Sequence, residues 1–281
     1  MGNLAGQLQA SHDGDPIGIS CLSFPPFSQT CDAGFAFGGD TTVDGTAVAS
    51  AGIGSRFQWF AHQILRETTV VLDTVGRGAV TVTSTTRMPF DERAVLIQVE
   101  LSDNSTAGEH QGLNVSLSLS AFLGNYSGTT WGWPVPRPSA SAGSHSATLS
   151  HDARGAPLVT VKDHQTGAEA VIGFAGVLPS GLVPKSPGVY RADYQTVGGG
   201  QRRHTVINLI ICVGNAVDDS ALKTRVSAYS SGFNATFAAA AAGWQSFWDG
   251  SFTPNASFPG NLPLLQTQDL QLSRTYYMGL L

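Results

Sequence analysis

The side chains able to do acid–base or nucleophilic chemistry are present in this sequence but dispersed. Seven histidines are spread along the chain, and none adjoins a serine or cysteine in a nucleophile motif. His12-Asp13, His151-Asp152 and Asp163-His164 stand in polar, turn-forming stretches and read as solvated loop residues. Asp91/Glu92 and Asp218/Asp219 are of the residue types that cleave a glycosidic bond, one carboxyl protonating the leaving oxygen and the other attacking or activating water. As sequence neighbours they fix no separation across a sugar ring, and they read as turn or cap residues. No catalytic residue is assigned. No Cys/His spacing suits zinc, and no glycine-rich strand-to-helix turn suits a phosphate or dinucleotide, so neither metal nor cofactor is expected.

The best ligand feature is aromatic. Residues 126–134 (YSGTTWGWP) hold Trp131 and Trp133 in a loop stiffened by glycine and proline. Their rings either stack on the C–H faces of a sugar or cover the edge of a β core. Trp59, between Phe57 and Phe60, reads as packing, as do Trp244 and Trp248. Five asparagines occupy Asn-x-Ser/Thr sites: Asn104, Asn114, Asn125, Asn234 and Asn255. The chain has only nine asparagines, so this share points to a glycosylated protein of the secretory pathway. No signal peptide is visible at the amino terminus, where no basic start leads into an apolar run. Cys21 and Cys31 flank a short loop and either form a disulfide or remain two thiols. Cys212, inside VINLIICVG, reads as a buried apolar residue.

The elements that must position these groups are mainly strands. Charged residues make up 12% and hydrophobic ones 42%, with 33 glycines, a balance that suits short strands joined by turns over a sizeable core. The net charge of −5, without a basic cluster, argues against nucleic acid, and no apolar run approaches a membrane span. The first sixty residues read as irregular, with 16–24 as a strand, 33–40 as a short one and 41–54 as a long surface loop. From residue 64 the pattern is regular: 67–73 and 79–86 form a hairpin, followed by 94–101. In 113–120, Leu113, Val115, Leu117 and Leu119 alternate with polar residues, one face buried and one wet. Asn114 falls on the wet face. Residues 147–150, 158–162, 168–174 and 189–197 are shorter strands, and 203–213 is apolar enough for a central strand buried on both sides.

Helical character enters only at 218–230, then at 237–248, where alanines precede Trp244 and Trp248. A proline-containing loop follows, and 264–281 reads as a further helix, uncapped and crowded with Tyr276, Tyr277, Met278, Leu280 and Leu281. Strands followed by helices give a mainly β chain: a large antiparallel two-sheet β-sandwich and then C-terminal helices. The expected division is a sandwich at 1–213, a linker helix at 214–236, and the first helices of a truncated α-helical domain at 237–281.

This order, with a W-x-x-x-W helix, a proline loop and then LQLSRTYYM, resembles the six-hairpin glycosidases related to glucoamylase, maltose phosphorylase and the processing glucosidases. The resemblance implies an N-terminal super-β-sandwich leading into an (α/α)6 barrel. It also implies a carbohydrate partner, and a C-terminal helical domain of the same polypeptide that carries the acid and base. It makes the loop with Trp131 and Trp133 a candidate to reach over the barrel's pocket. The functional expectation is the front portion of a glycoside hydrolase without its catalytic carboxylates. Two alternatives are a non-enzymatic carbohydrate-binding or adhesion sandwich, and an epimerase-like sandwich with a His and a carboxylate converging on one sheet face.

Overall fold

The computed structural model describes residues 5–10, 15–24, 28–30, 37–38, 40–60, 62–72, 78–103, 112–120, 145–164, 167–186, 189–195, 203–253 and 260–278. Three strands open the chain, β1 (Gln7–Ala10), β2 (Ile19–Phe24) and β3 (Ser28–Thr30), and form a small antiparallel sheet. Next come β4 (Thr41–Val43), β5 (Thr46–Ala47) and the one-turn helix α1 (Val48–Ala51). The meander β6 (Gly52–Trp59), β7 (Ile64–Val71), β8 (Ala79–Arg87) and β9 (Ala94–Asp103) follows, then β10 (Asn114–Ser120). A second meander comprises β11 (His145–His151), β12 (Pro157–Asp163) and β13 (Ala168–Gly176), with β14 (Gly181–Ser186) and β15 (Val189–Gln195) after it. β16 (Arg203–Asn215) is the last strand, and α2 (Asp219–Ser231), α3 (Phe233–Phe252) and α4 (Leu270–Met278) complete the chain.

β16 joins the two meanders. It pairs with β9 on one side and β13 on the other, closing an antiparallel sheet of eight strands in the order β11-β12-β13-β16-β9-β8-β7-β6. A second sheet, β14-β15-β10-β4-β5, faces it. Alternation dictates the core between them. Val95, Ile97, Val99 and Leu101 of β9, and Ile207, Leu209, Ile211 and Val213 of β16, point inward toward Val115, Leu117 and Leu119 of β10. Each such side chain contributes roughly 1.5–3 kcal/mol by leaving water.

The other side of the large sheet carries a second core. Ala94, Leu96, Val171, Ile210 and Cys212 face out of the sandwich and are covered by Leu222 and Val226 of α2 and by Phe233 and Phe237 of α3. The helices therefore form a third layer. Their close approach needs two glycines: an added Cβ at Gly173 would stand 2.2 Å from Val226 Cγ1, and at Gly214 it would stand 3.1 Å from Leu222 Cδ2. Leu222 and Val226, one helical turn apart, fill the hollows that those glycines leave.

The amino-terminal region departs from the sequence expectation. Residues 41–51 are not a surface loop; Val43 and Val48 are fully buried there, because the short hairpin β4–β5 extends the smaller sheet. Residues 15–18 are fastened into the sandwich by Arg66, which is 6% exposed. Its Nη1 donates to the carbonyls of Asp15 at 2.6 Å and Gly18 at 2.8 Å. Ser84 donates to the Pro16 carbonyl, and Thr41 to the Asp15 carboxylate at 2.9 Å. Burial pushes Arg66 down to about 10, with the charge of Asp15 pulling it back up.

The hairpin between β11 and β12 holds the far end of α2. Arg154 donates to Asp152 at 2.8 Å, to the Ser227 carbonyl at 3.0 Å and to the Ser231 hydroxyl. A cation thus sits at the carboxyl end of the helix, where its dipole is negative. Burial raises the Asp152 carboxyl, but the Arg154 side chain and the amides of Ala156 and Arg154 outweigh it and hold the group at about 2. A depressed carboxyl stabilises the fold above its unfolded value, and that contribution is lost as pH falls from 3.8 through about 2. Asp152→Ala is therefore expected to lower the thermal midpoint at pH 7 and to converge with wild type near pH 2. Equal differences at both pH values in a calorimetric titration would contradict the clamp.

Candidate functional site

The uncovered half of the large sheet's outer face gathers the polar groups. Cross-strand register places Glu67, Thr83, Glu100 and Val206 in one row, and Leu65, Thr85, Gln98 and Asn208 in the next. A third row holds Thr69, Thr81, Ser102 and His204. His204 Nε2 lies 3.0 Å from Glu100 Oε2, and Gln98 donates to Asn208 at 3.2 Å. Imidazole beside carboxylate is an acid–base pair in type. Here it stands on an open sheet, His204 52% and Glu100 39% exposed, where water screens it and a cross-strand ion pair is worth little. A His and a carboxylate do meet on one sheet face, but without the enclosure that acid–base catalysis needs.

A second acidic group lies beneath α2. Glu169 is fully buried on β13; Lys162 Nζ is 2.9 Å from its Oε2, and its carboxyl faces that of Asp219 at the start of α2. Asp219 pairs in turn with Lys223 at 2.8 Å. Two carboxyls side by side are what a glycosidase uses, yet here Glu169 is fully buried under α2 and only Asp219 is partly open to solvent. Asp218/Asp219, read from sequence as cap residues, do sit at a helix start. The link from Asp219 to Glu169 was not foreseen. The signal for it was a lone glutamate in the otherwise apolar run AEAVIGFA. Asp91/Glu92 fall in the turn before β9, Glu92 paired with Arg225 at 2.9 Å.

The aromatic residues divide into packed and open groups. Trp244 meets Phe90 edge-on at 5.5 Å, and Trp248 meets Tyr277 at 5.6 Å and Phe252 at 5.0 Å, so both tryptophans pack within the protein. Trp59 does not: it is 40% exposed, with Phe57 at 48%, because β6 is the edge of the large sheet. Arg87, bound to Gln63 at 2.8 Å, covers the Phe237 ring at 4.2 Å and fixes where α3 crosses the sheet. The helix read at 264–281 begins only at Leu270, and it is capped: Asp269 Oδ1 accepts from the amides of Gln271 at 2.9 Å and Leu272 at 3.1 Å.

Trp131, Trp133, Asn104, Asn125, Asn255 and Cys31 lie outside the described residues, as does the side chain of Cys21. Asn114 and Asn234 are exposed, on β10 and α3, and the Asn114 side chain donates to Asp44 at 3.3 Å. Cys212 is a buried thiol pushed up to about 12 by burial. No described helix is long and apolar enough to cross a membrane.

No family model matches the chain, and no curated protein matches it in sequence. Solved structures do. A bacterial glucoamylase complexed with acarbose matches 89% of this chain with 40% of its own, at 8% identity and a TM-score of 0.52. A putative kojibiose phosphorylase from the human microbiome matches 74% of this chain with 27% of its own, at 8% identity and a TM-score of 0.48. A GH36 α-galactosidase from Geobacillus stearothermophilus covers 68% of this chain at 10% identity, with a TM-score of 0.28. The last two superpose too loosely to add to the first. The likeness to the glucoamylase shows the fold: an antiparallel β-sandwich followed by helices, as in glycosidases of that kind. The chain spans 40% or less of the first two structures.

Proposed function

We propose that this chain is the β-sandwich and first helical segment of a carbohydrate-active enzyme, a glycoside hydrolase, whose catalytic acid and base lie outside these 281 residues. The observation that carries the reading is the fold match over 89% of the chain to a glucoamylase. The distribution of carboxyls supports it, since Glu169 is fully buried and Glu100 stands open to solvent beside His204. In this reading the sandwich is a platform for a helical catalytic domain of the same polypeptide, and Trp131 and Trp133 lend aromatic faces to a sugar held there.

Two preparations test it: the purified 281-residue chain, and the full polypeptide encoded by the gene that carries it. Each is incubated with a panel of α- and β-glucosides, with and without inorganic phosphate, and released sugar is measured. The short chain is expected to release none and the full polypeptide to turn over at least one substrate. Trp131→Ala with Trp133→Ala should raise KM about tenfold or more, the loss of one to two stacking contacts. Turnover by the short chain, abolished by changing one carboxylate within it, overturns the reading. A full polypeptide that binds glucan without turnover establishes a binding module instead.

A further inference from the structure

β6 ends the large sheet, and its last residues carry aromatic rings that the fold leaves in the open. Phe57 and Trp59 stand across from Arg66 and Ile64, which are buried inside the sandwich, so both rings lie on the sandwich side of the strand. They are nevertheless 48% and 40% exposed, and Phe60 beside them is 39% exposed. The smaller sheet has five strands against eight, and it leaves the inner side of β6 as an open shelf. One end of the shelf is closed by α1, since a Cβ added at Gly52 would stand 2.8 Å from the Val48 carbonyl oxygen. Along the strand Phe57 and Trp59 are about 6.5–7 Å apart, which lets each ring meet a different sugar of one chain.

Shape and charge select the occupant. The edge is poorly suited to another strand: Gly54, at a φ of 64°, lies in a bulge between Ile53 and Arg56, and a bulge bends an edge away from flat pairing. The charged side chain of β6, Arg56, is turned by register to the opposite face, across from Glu67. The rings' side carries instead the hydroxyl of Ser55, 3.0 Å from Thr68 Oγ1. Arg66, the cation beneath it, is spent on the carbonyls of Asp15 and Gly18. An uncharged shelf suits an uncharged ligand better than a nucleic acid or an anionic surface.

A pyranose meets these conditions: its C–H face stacks on an aromatic ring, and its rim of hydroxyls bonds to polar groups alongside. We propose that Phe57 and Trp59 form a sugar-binding platform on the edge of the large sheet, which holds a neutral, linear oligosaccharide by stacking. The platform rests on the carbohydrate reading above and deepens it by naming where in this chain an oligosaccharide is held. It is built on a regular strand, so its rings keep their spacing without a ligand, and little ordering opposes binding.

NMR titration of the nitrogen-labelled 281-residue protein tests this, with maltoheptaose and cellohexaose as neutral probes and an oligogalacturonate as their charged counterpart. The indole N–H of Trp59, assigned by its loss in Trp59→Phe, is expected to shift saturably with at least one neutral probe, while those of Trp244 and Trp248 stay in place. Trp59→Ala should weaken binding about tenfold, the loss of one stacking contact, and Trp59→Phe should weaken it less. Trp131→Ala with Trp133→Ala should leave the Trp59 response intact; a response lost in that variant overturns the platform. No saturable shift with either neutral probe also overturns it, as does tighter binding of the oligogalacturonate. A dimer that Trp59→Ala abolishes assigns the shelf to a second copy and overturns it as well. If Trp59→Ala does not fold, the wild-type shift and its survival in the Trp131, Trp133 variant decide. These outcomes are read without turnover, so a full polypeptide that cleaves glucosides beside a short chain that binds none sinks the platform alone.

Discussion

Arg66→Ala is expected to destabilise the protein by roughly 3–5 kcal/mol, the cost of breaking a buried charged contact by removing one partner. The carbonyls of Asp15 and Gly18 would lose their donor, and the Asp15 carboxylate, itself 6% exposed, would lose a facing positive charge. The methyl of alanine also leaves a cavity between β7 and the segment crossing it. Arg66→Met separates the two effects, since it restores much of the volume and none of the bonding. If the bonds dominate, methionine should recover less than half of the loss in urea unfolding. A cost under 1 kcal/mol for Arg66→Ala would mean that residues 15–18 are held without the Arg66 bonds.

Gly173→Val is expected to cost about 3 kcal/mol, the upper part of the usual range for overpacking. The new Cβ would sit 2.2 Å from Val226 Cγ1 and 3.3 Å from Leu158 Cδ2. Val226 is β-branched and has one comfortable rotamer in a helix, so α2 itself must lift. Lifting it strips cover from Leu96, Ile210 and Cys212. Gly214→Ala should be milder, because Leu222 begins 3.1 Å away and is flexible at its tip, and Gly181→Ala should be neutral, because nothing lies within 4 Å. The order Gly173, Gly214, Gly181 in thermal midpoints is the check. Equal effects at Gly173 and Gly181 would show that α2 is not seated as described.

Where the sequence alternated or ran apolar without a break, it was legible. The two-residue period of 113–120 appears as β10 with Val115, Leu117 and Leu119 inward and Asn114 outward. The apolar run in 203–213 appears as β16, buried on both faces only from Ile207 onward, where one face meets the sandwich and the other meets helices; His204 to Val206 lie on the open part of the sheet. The strand read at 67–73 runs from Ile64 to Val71 instead; Arg66 and Thr68 stand on its inward face beside Ile64 and Val70, and polar groups satisfied by distant partners hide its first residues. The start at Leu270 of the last helix was missed because Asp269, the residue that begins it, lay inside the stretch taken as helix. The exposed aromatics of β6 looked like core because a window of neighbours cannot tell an edge strand from a central one. The Glu169–Asp219 contact depends on a tertiary crossing of α2 over β13 that no local pattern encodes.

The place of β16 also governs how the chain emerges from a ribosome. Its first pairing partner, Asp103 for Arg203, precedes it by 203 − 103 = 100 residues. At about 5–20 residues per second that interval lasts roughly 5–20 s. Throughout it β9 is a bare strand edge, and once Gly176 is made β13 becomes a second; each is lined with apolar side chains and offers open hydrogen-bonding groups to any neighbour. Two half-sheets thus wait, side by side on one nascent chain, for the strand that zips them together. Stalling or premature termination between Gly176 and Arg203 would release a polypeptide with most of its strands made and its two stickiest edges uncapped. Slower growth at low temperature, or a chaperone that shields strand edges, should therefore raise the yield of folded protein more than any change to its surface.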